Sequence, residues 1–167
     1  MRRTLPLLAV VLLACALAAV AGAAFGVSTP GSATSSGVTL NGVDKTSTFT
    51  TTITASGGTS TGWNISAWAP IPISGTKTLG ALEVTAKPTL TACSGGGCSQ
   101  PTLSGTITWP VTLGTTSPSA VKIYNAKANT GLGTNFLTVI FGVTVPASAL
   151  PGSYSTTLTV IGSGAGP

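Results

Sequence analysis

From Gly31 onward, polar and apolar residues alternate in short runs that Gly, Pro, Ser and Thr interrupt every eight to fifteen positions. Successive side chains of a strand point to opposite faces, so a two-residue period marks a strand with one face buried. The pattern predicts strands over 38–40, 47–55, 63–67, 79–86, 105–111, 120–124, 136–145 and 154–161. In the first long run Phe49, Thr51, Ile53 and Ala55 share a face, and Thr48, Thr50, Thr52 and Thr54 form the other. In 136–145, Leu137, Val139, Phe141, Val143 and Val145 make a continuous apolar row against Thr138, Ile140, Gly142 and Thr144, the expectation for a central core strand. In the last run Tyr154, Thr156, Leu158 and Val160 oppose Ser155, Thr157 and Thr159. No stretch beyond the N-terminal segment repeats apolar residues at helical three-and-four spacing.

Half-buried strands, regular turns and no helices are most simply satisfied by two sheets packed face to face. The expected fold is therefore all-β, a two-sheet antiparallel β-sandwich preceded by an N-terminal export segment. A β-domain of roughly 140 residues is large enough for one core. With aromatics at 5%, that core must be mostly aliphatic, with Phe49, Trp63, Trp109, Phe136, Phe141 and Tyr154 as its bulky members. Pro70 and Pro72 lack the N–H that a central strand needs, which predicts an edge or crossover between the third and fourth strands.

The N-terminus is different in kind. Arg2 and Arg3 precede an uncharged run from Leu5 to Val27, after which the chain turns polar. This is the layout of a secretory signal peptide over 1–23, with Ala21 or Ala23 as the last residue removed and Ala23 preferred. Two other readings stay open. The run reaches the length of a bilayer span and would serve as an uncleaved anchor to residue 27. The LLAC sequence ending at Cys15 is similar to the lipobox of bacterial lipoproteins, which would make Cys15 a lipidated terminus. Residues 24–37, rich in Ser, Thr and Gly, read as a flexible linker, and 38–167 as the sandwich domain.

Composition then narrows the chemistry. The chain has no His and two acidic residues, Asp44 and Glu83, against seven Lys or Arg, two of which lie in the export segment. Ser and Thr are abundant, but a hydroxyl nucleophile needs a base, and paired-carboxylate catalysis would have to use both acids at once. The reading is a non-enzyme with no cofactor, no metal and no catalytic residue. The lysines are too few and scattered to follow a phosphate backbone, so no nucleic-acid partner is expected. Cys93 and Cys98 enclose Ser-Gly-Gly-Gly, and in an exported chain they read as a structural disulfide stapling a loop tip.

The aromatic residues remain as candidates for recognition. Trp63, Ile65 and Ala67 fall on one face of their strand, leaving Trp68 on the other, where its ring either stacks on a sugar or peptide or packs against Ile71 and its flanking prolines. Trp109, just before Pro110, has the same two readings.

Gly62-Trp63-Asn64-Ile65, and Gly152, Tyr154, Leu158 and Thr159 in the final strand near the closing Gly-Pro, resemble the two motifs of bacterial WxL-domain surface proteins. The sequence departs from that pattern at Val160, where the family has its second Trp, and at Gly162, where it has Leu. The resemblance implies a β-sandwich attached non-covalently to the cell wall, with Trp63, Ile65 and Tyr154 as motif residues. The functional expectation is a non-catalytic secreted or cell-surface module that binds or builds the cell envelope. Its partners would be cell-wall polymers or other envelope proteins, and a membrane only if the N-terminal segment is retained or lipidated. The alternative is a pilin-like or coat-like subunit that polymerises by strand pairing, because Thr-rich edges with few charges are poorly protected against strand addition.

Overall fold

A computed structural model describes residues 25–35, 37–58 and 60–166, so residues 1–23, expected to be an export signal, and Cys15 within them lie outside the described residues. Among the described residues the fold is all-β with antiparallel sheets and one short 3-10 turn at Ser117–Ser119. The eleven strands are β1 (Gly26–Ser28), β2 (Lys45–Gly58), β3 (Trp63–Trp68), β4 (Ile73–Ser74), β5 (Lys77–Thr78), β6 (Leu82–Val84), β7 (Thr89–Ser94), β8 (Val111–Thr112), β9 (Val121–Ala126), β10 (Gly133–Val145) and β11 (Thr159–Ser163). The larger sheet runs β1–β2–β10–β6–β8, with β7 also on β10, and the smaller runs β11–β3–β9. Between them lies one core, with Ile53, Leu82, Val84, Leu137, Val139 and Phe141 from the larger sheet and Trp63, Ile65, Ala67 and Ile123 from the smaller. The sheets also approach along both sides, where β1 meets β11 and β8 meets β9.

The long alternating runs behave as their pattern predicts. β2 and β10 pair from Gly133 opposite Gly58 to Val145 opposite Lys45. Ser47, Thr51, Ile53 and Ala55 are buried on one face of β2, and Leu137, Val139, Phe141 and Val145 on the same side of β10. Phe49 and Phe141, directly opposite in register, stack with centroids 5.3 Å apart.

The short elements are where the expectation needs correction. Residues 38–40 form no strand. The strand expected over 79–86 shrinks to β6, and Thr89–Ser94 runs on along the same side of β10 as β7 after a break over 85–88 that includes Pro88, which has no N–H for the ladder. Of 105–111, only Val111 joins a strand, β8 being just Val111–Thr112. The last strand begins at Thr159, and the preceding residues form a rim in which Ser155 pairs with Ile73 alone. Residues 70–72 do leave the sheets, leading into the separate β4–β5 hairpin. Residues 24–37 are not linker throughout: Gly26–Ser28 forms β1 on the edge of β2, and the Phe25 ring stacks on Trp63 at 5.2 Å. Burial of Phe25 and Val27 against the core overrides the flexible composition that follows them.

Candidate functional site

The β1 strand covers β2 only at Thr54–Ser56, and the smaller sheet does not extend over the other end of the larger one. There the inner face of β2 and β10 presents Ser47, Phe49, Thr51, Val143 and Val145, joined by Leu82 of β6. Instead of a strand, residues 149–158 stand opposite, and 29–35, 37, 38 and 40 pass along the side. The result is an open cleft of about 930 Å³.

Side-chain and backbone ties hold its walls. The Tyr154 hydroxyl donates to the Leu150 carbonyl at 2.8 Å, and the Thr156 hydroxyl to the Pro70 carbonyl at 2.6 Å. Ile73 and Ser155 exchange two backbone bonds of 3.0 Å, fixing the rim to the β4–β5 hairpin. Lys77 Nζ reaches the Pro151 carbonyl at 3.0 Å. On the opposite wall the Ser47 hydroxyl donates to Ser35 Oγ at 3.0 Å. Asp44 Oδ1 accepts the Ala147 N–H at 2.8 Å, tying the start of β2 to the chain after β10.

No Asp, Glu, Lys or Arg is among the lining residues, which are aliphatic side chains, Ser and Thr hydroxyls, prolines, glycines and the aromatic rings of Phe49 and Tyr154. Such a surface can exchange neutral hydrogen bonds and bury apolar area, and it offers a bound group no fixed charge. Glu83 is elsewhere, on β6 opposite Gly142, while Asp44 serves as a backbone acceptor, so the two carboxylates have separate places in the fold. Among the described residues no cluster of three His, Cys, Asp or Glu side chains could hold a metal ion.

The aromatic candidates separate. Of the motif residues, Trp63 is 0% exposed and Ile65 1%, so both side chains face the core. Trp63 lies between Phe25 and Tyr124, and its Nε1 donates to the Gly131 carbonyl at 2.9 Å. Burial raises the pKa of the Tyr124 phenol, which donates to the Pro101 carbonyl at 3.3 Å. Trp109 is half-buried against the core. Trp68 is half-buried on the outer face of β3, and its Nε1 is enclosed without an acceptor among the described residues. Tyr154 lines the cleft, away from the three tryptophans. Cys93 and Cys98 form the disulfide at the end of β7, with Cα atoms 6.1 Å apart.

Comparisons bring no relative to this picture. No known protein family, curated protein or solved structure matches the chain. The site must therefore be read from its own chemistry.

Several of its residues escape sequence reasoning. Leu150, 57% exposed, and Thr157 stand at the rim in a Pro- and Ser-rich stretch with no feature except the alternation that places Thr157 outward. Outside the cleft, Asn135 continues the buried row of β10 and is 0% exposed, with Nδ2 donating to the Gly131 carbonyl at 2.9 Å. A strand period carried two residues upstream of Leu137 would have found it.

Proposed function

We propose that this chain is an exported, non-catalytic module of the cell envelope that acts by binding a neutral, extended polymer segment in the cleft between β2 and residues 149–158. The observation that carries the reading is the cleft itself: about 930 Å³ of aliphatic and hydroxyl surface with no charged lining residue. Pockets of this size accommodate sizeable ligands, and a few polar groups among apolar walls are enough to orient one. A catalytic site would need a group to move protons, and no His, carboxylate or lysine lines this one. The N-terminal sequence supports export, and the similarity of residues 62–65 and 152–159 to WxL-domain motifs supports a wall polymer as ligand. In this fold Trp63 and Ile65 serve that motif by building the core, which leaves contact to the cleft and the outer surface.

The test is co-sedimentation of the exported protein with purified peptidoglycan and with other wall polymers. Thr157 is exposed and on the rim, so Thr157→Arg puts a bulky charge at the entrance without disturbing the core. Binding weakened at least tenfold by Thr157→Arg and left intact by Trp68→Ala is the expected result. Loss with Trp68→Ala alone would move the site to the outer face of β3, and no sedimentation with any polymer would overturn the binding function.

A second reading has an observation of its own. From Thr48 to Ile53 the side of β2 away from β10 is paired with no strand among the described residues. An unpaired edge is a template for another chain, which is what a coat-like or pilin-like subunit needs.

A further inference from the structure

β1 is a three-residue edge strand of the larger sheet that occupies a closely fitted socket. Three registered pairs, Gly26 with Ser56, Val27 with Ala55 and Ser28 with Thr54, join it to β2. Phe25 stacks on Trp63. Across the seam, Gly162 of β11 leaves the space these side chains use: a Cβ there would come within 2.6 Å of Phe25 Cε1 and 2.8 Å of Val27 Cγ1. The socket is thus shaped to the side chains of residues 25–28 and is built entirely from parts distant in sequence.

The connection from β1 to β2 is long for the distance it covers. Its described residues within 29–44 form no strand and are nearly all exposed. From beside Thr54 back to the start of β2 at Lys45 is ~30 Å at the rise of a strand. Residues 29–44 fully extended reach ~55 Å. The surplus lets residues 25–28 leave their own socket and enter another without breaking any other strand pair.

We propose that β1 is an exchangeable strand: Phe25–Gly26–Val27–Ser28 of one molecule docks against Ala55, Trp63 and Gly162 of a second copy of this chain. The occupant is a second copy because the socket already fits these four residues, and an exchanged strand makes the contacts of the closed monomer again. Exchange of an identical element is a low-cost route to association, closing as a dimer when reciprocal and growing as a filament when each copy donates onward. The tether gives a molecule's own β1 an effective concentration in the millimolar range, so exchange rises with protein concentration. It would be promoted where an exported protein is crowded on a surface. This inference deepens the assembly reading and rests on it, naming the strand and its acceptor; the polymer-binding reading does not require it, and the two share the tether, whose residues 29–35 also line the cleft.

The test uses the exported protein carrying Cys15→Ser, with the Cys93–Cys98 disulfide intact. Val27 and Ala55 are directly opposed, so molecules bearing Val27→Cys are mixed with molecules bearing Ala55→Cys under oxidised glutathione at rising concentration. The expected product is a mixed covalent dimer that grows with concentration and falls at least fivefold when the Ala55→Cys partner also carries Gly162→Val, which fills the socket. The double variant Val27→Cys/Ala55→Cys supplies the control, since it must close on itself if the two positions meet. Self-closure with no mixed dimer up to millimolar concentration overturns β1 exchange. If gel filtration then still shows concentration-dependent oligomers, assembly proceeds by addition to the β2 edge and only the exchange falls. A monomer at every concentration removes both.

Discussion

Tyr124 illustrates what a single side chain owes to its surroundings. It is 4% exposed, packed 5.5 Å from Trp63, and burial disfavours its phenolate. The folded pKa is thus raised above the ordinary value of 10.0, so the native state holds this proton more tightly than the unfolded chain does. The stabilisation is complete below that ordinary value and disappears as pH rises through the folded pKa. Urea unfolding between pH 8 and pH 12 is expected to show stability falling above about pH 10, with a shallower fall in Tyr124→Phe. Equal slopes in the two proteins would show that Tyr124 is not the group responsible. Trp63 was legible as a large residue on an alternating face, but its partners were not. Phe25 and Gly131 lie far from it in sequence, and Gly131, at φ 68°, supplies the buried acceptor for its indole N–H. The same limit applied to the site: Tyr154 could be singled out by its motif, while the hydroxyl bond to Leu150 that shapes the rim could not.

Among the elements, legibility follows burial. β2 and β10 each bury one face, and their alternation reports it directly. β7 buries no residue fully, so nothing in Thr89–Ser94 distinguishes it from a polar loop; it is a strand because β10 offers it a ladder. Its far end is stapled by Cys93–Cys98 around a turn at residues 95–98. Closing so short a loop constrains the unfolded chain by about 2 kcal/mol. Replacing both cysteines with Ser is expected to lower stability by about that amount in denaturant titration and to speed amide exchange in β7 ahead of β2. A loss confined to global stability, with β7 exchange unchanged relative to β2, would contradict the staple. β1 was hidden for another reason: an apolar Phe-Gly-Val after a long uncharged run reads as the tail of an export segment, and only the sheet edge it meets makes it a strand.

At the scale of the whole molecule, β1 and β11 close one side of the sandwich, and below them the cleft remains open. A chain beginning at Thr29 would lack Phe25 and Val27 and leave the Trp63 ring uncovered. The apolar area involved predicts a loss of about 2–4 kcal/mol, read as a lower thermal midpoint and a red shift of tryptophan fluorescence. Unchanged stability and emission would show that residues 25–28 are dispensable to the sandwich. The all-β class, the buried face of each long strand and the scarcity of proton-moving side chains followed from sequence alone, because alternation is a local property of the pleated backbone and composition needs no geometry. The pairing of β1, the division of β6 from β7, the enclosure of Trp63 and the existence of the cleft were decided by tertiary structure. Each depends on which distant segments meet and where one sheet outruns the other, and no local period encodes that.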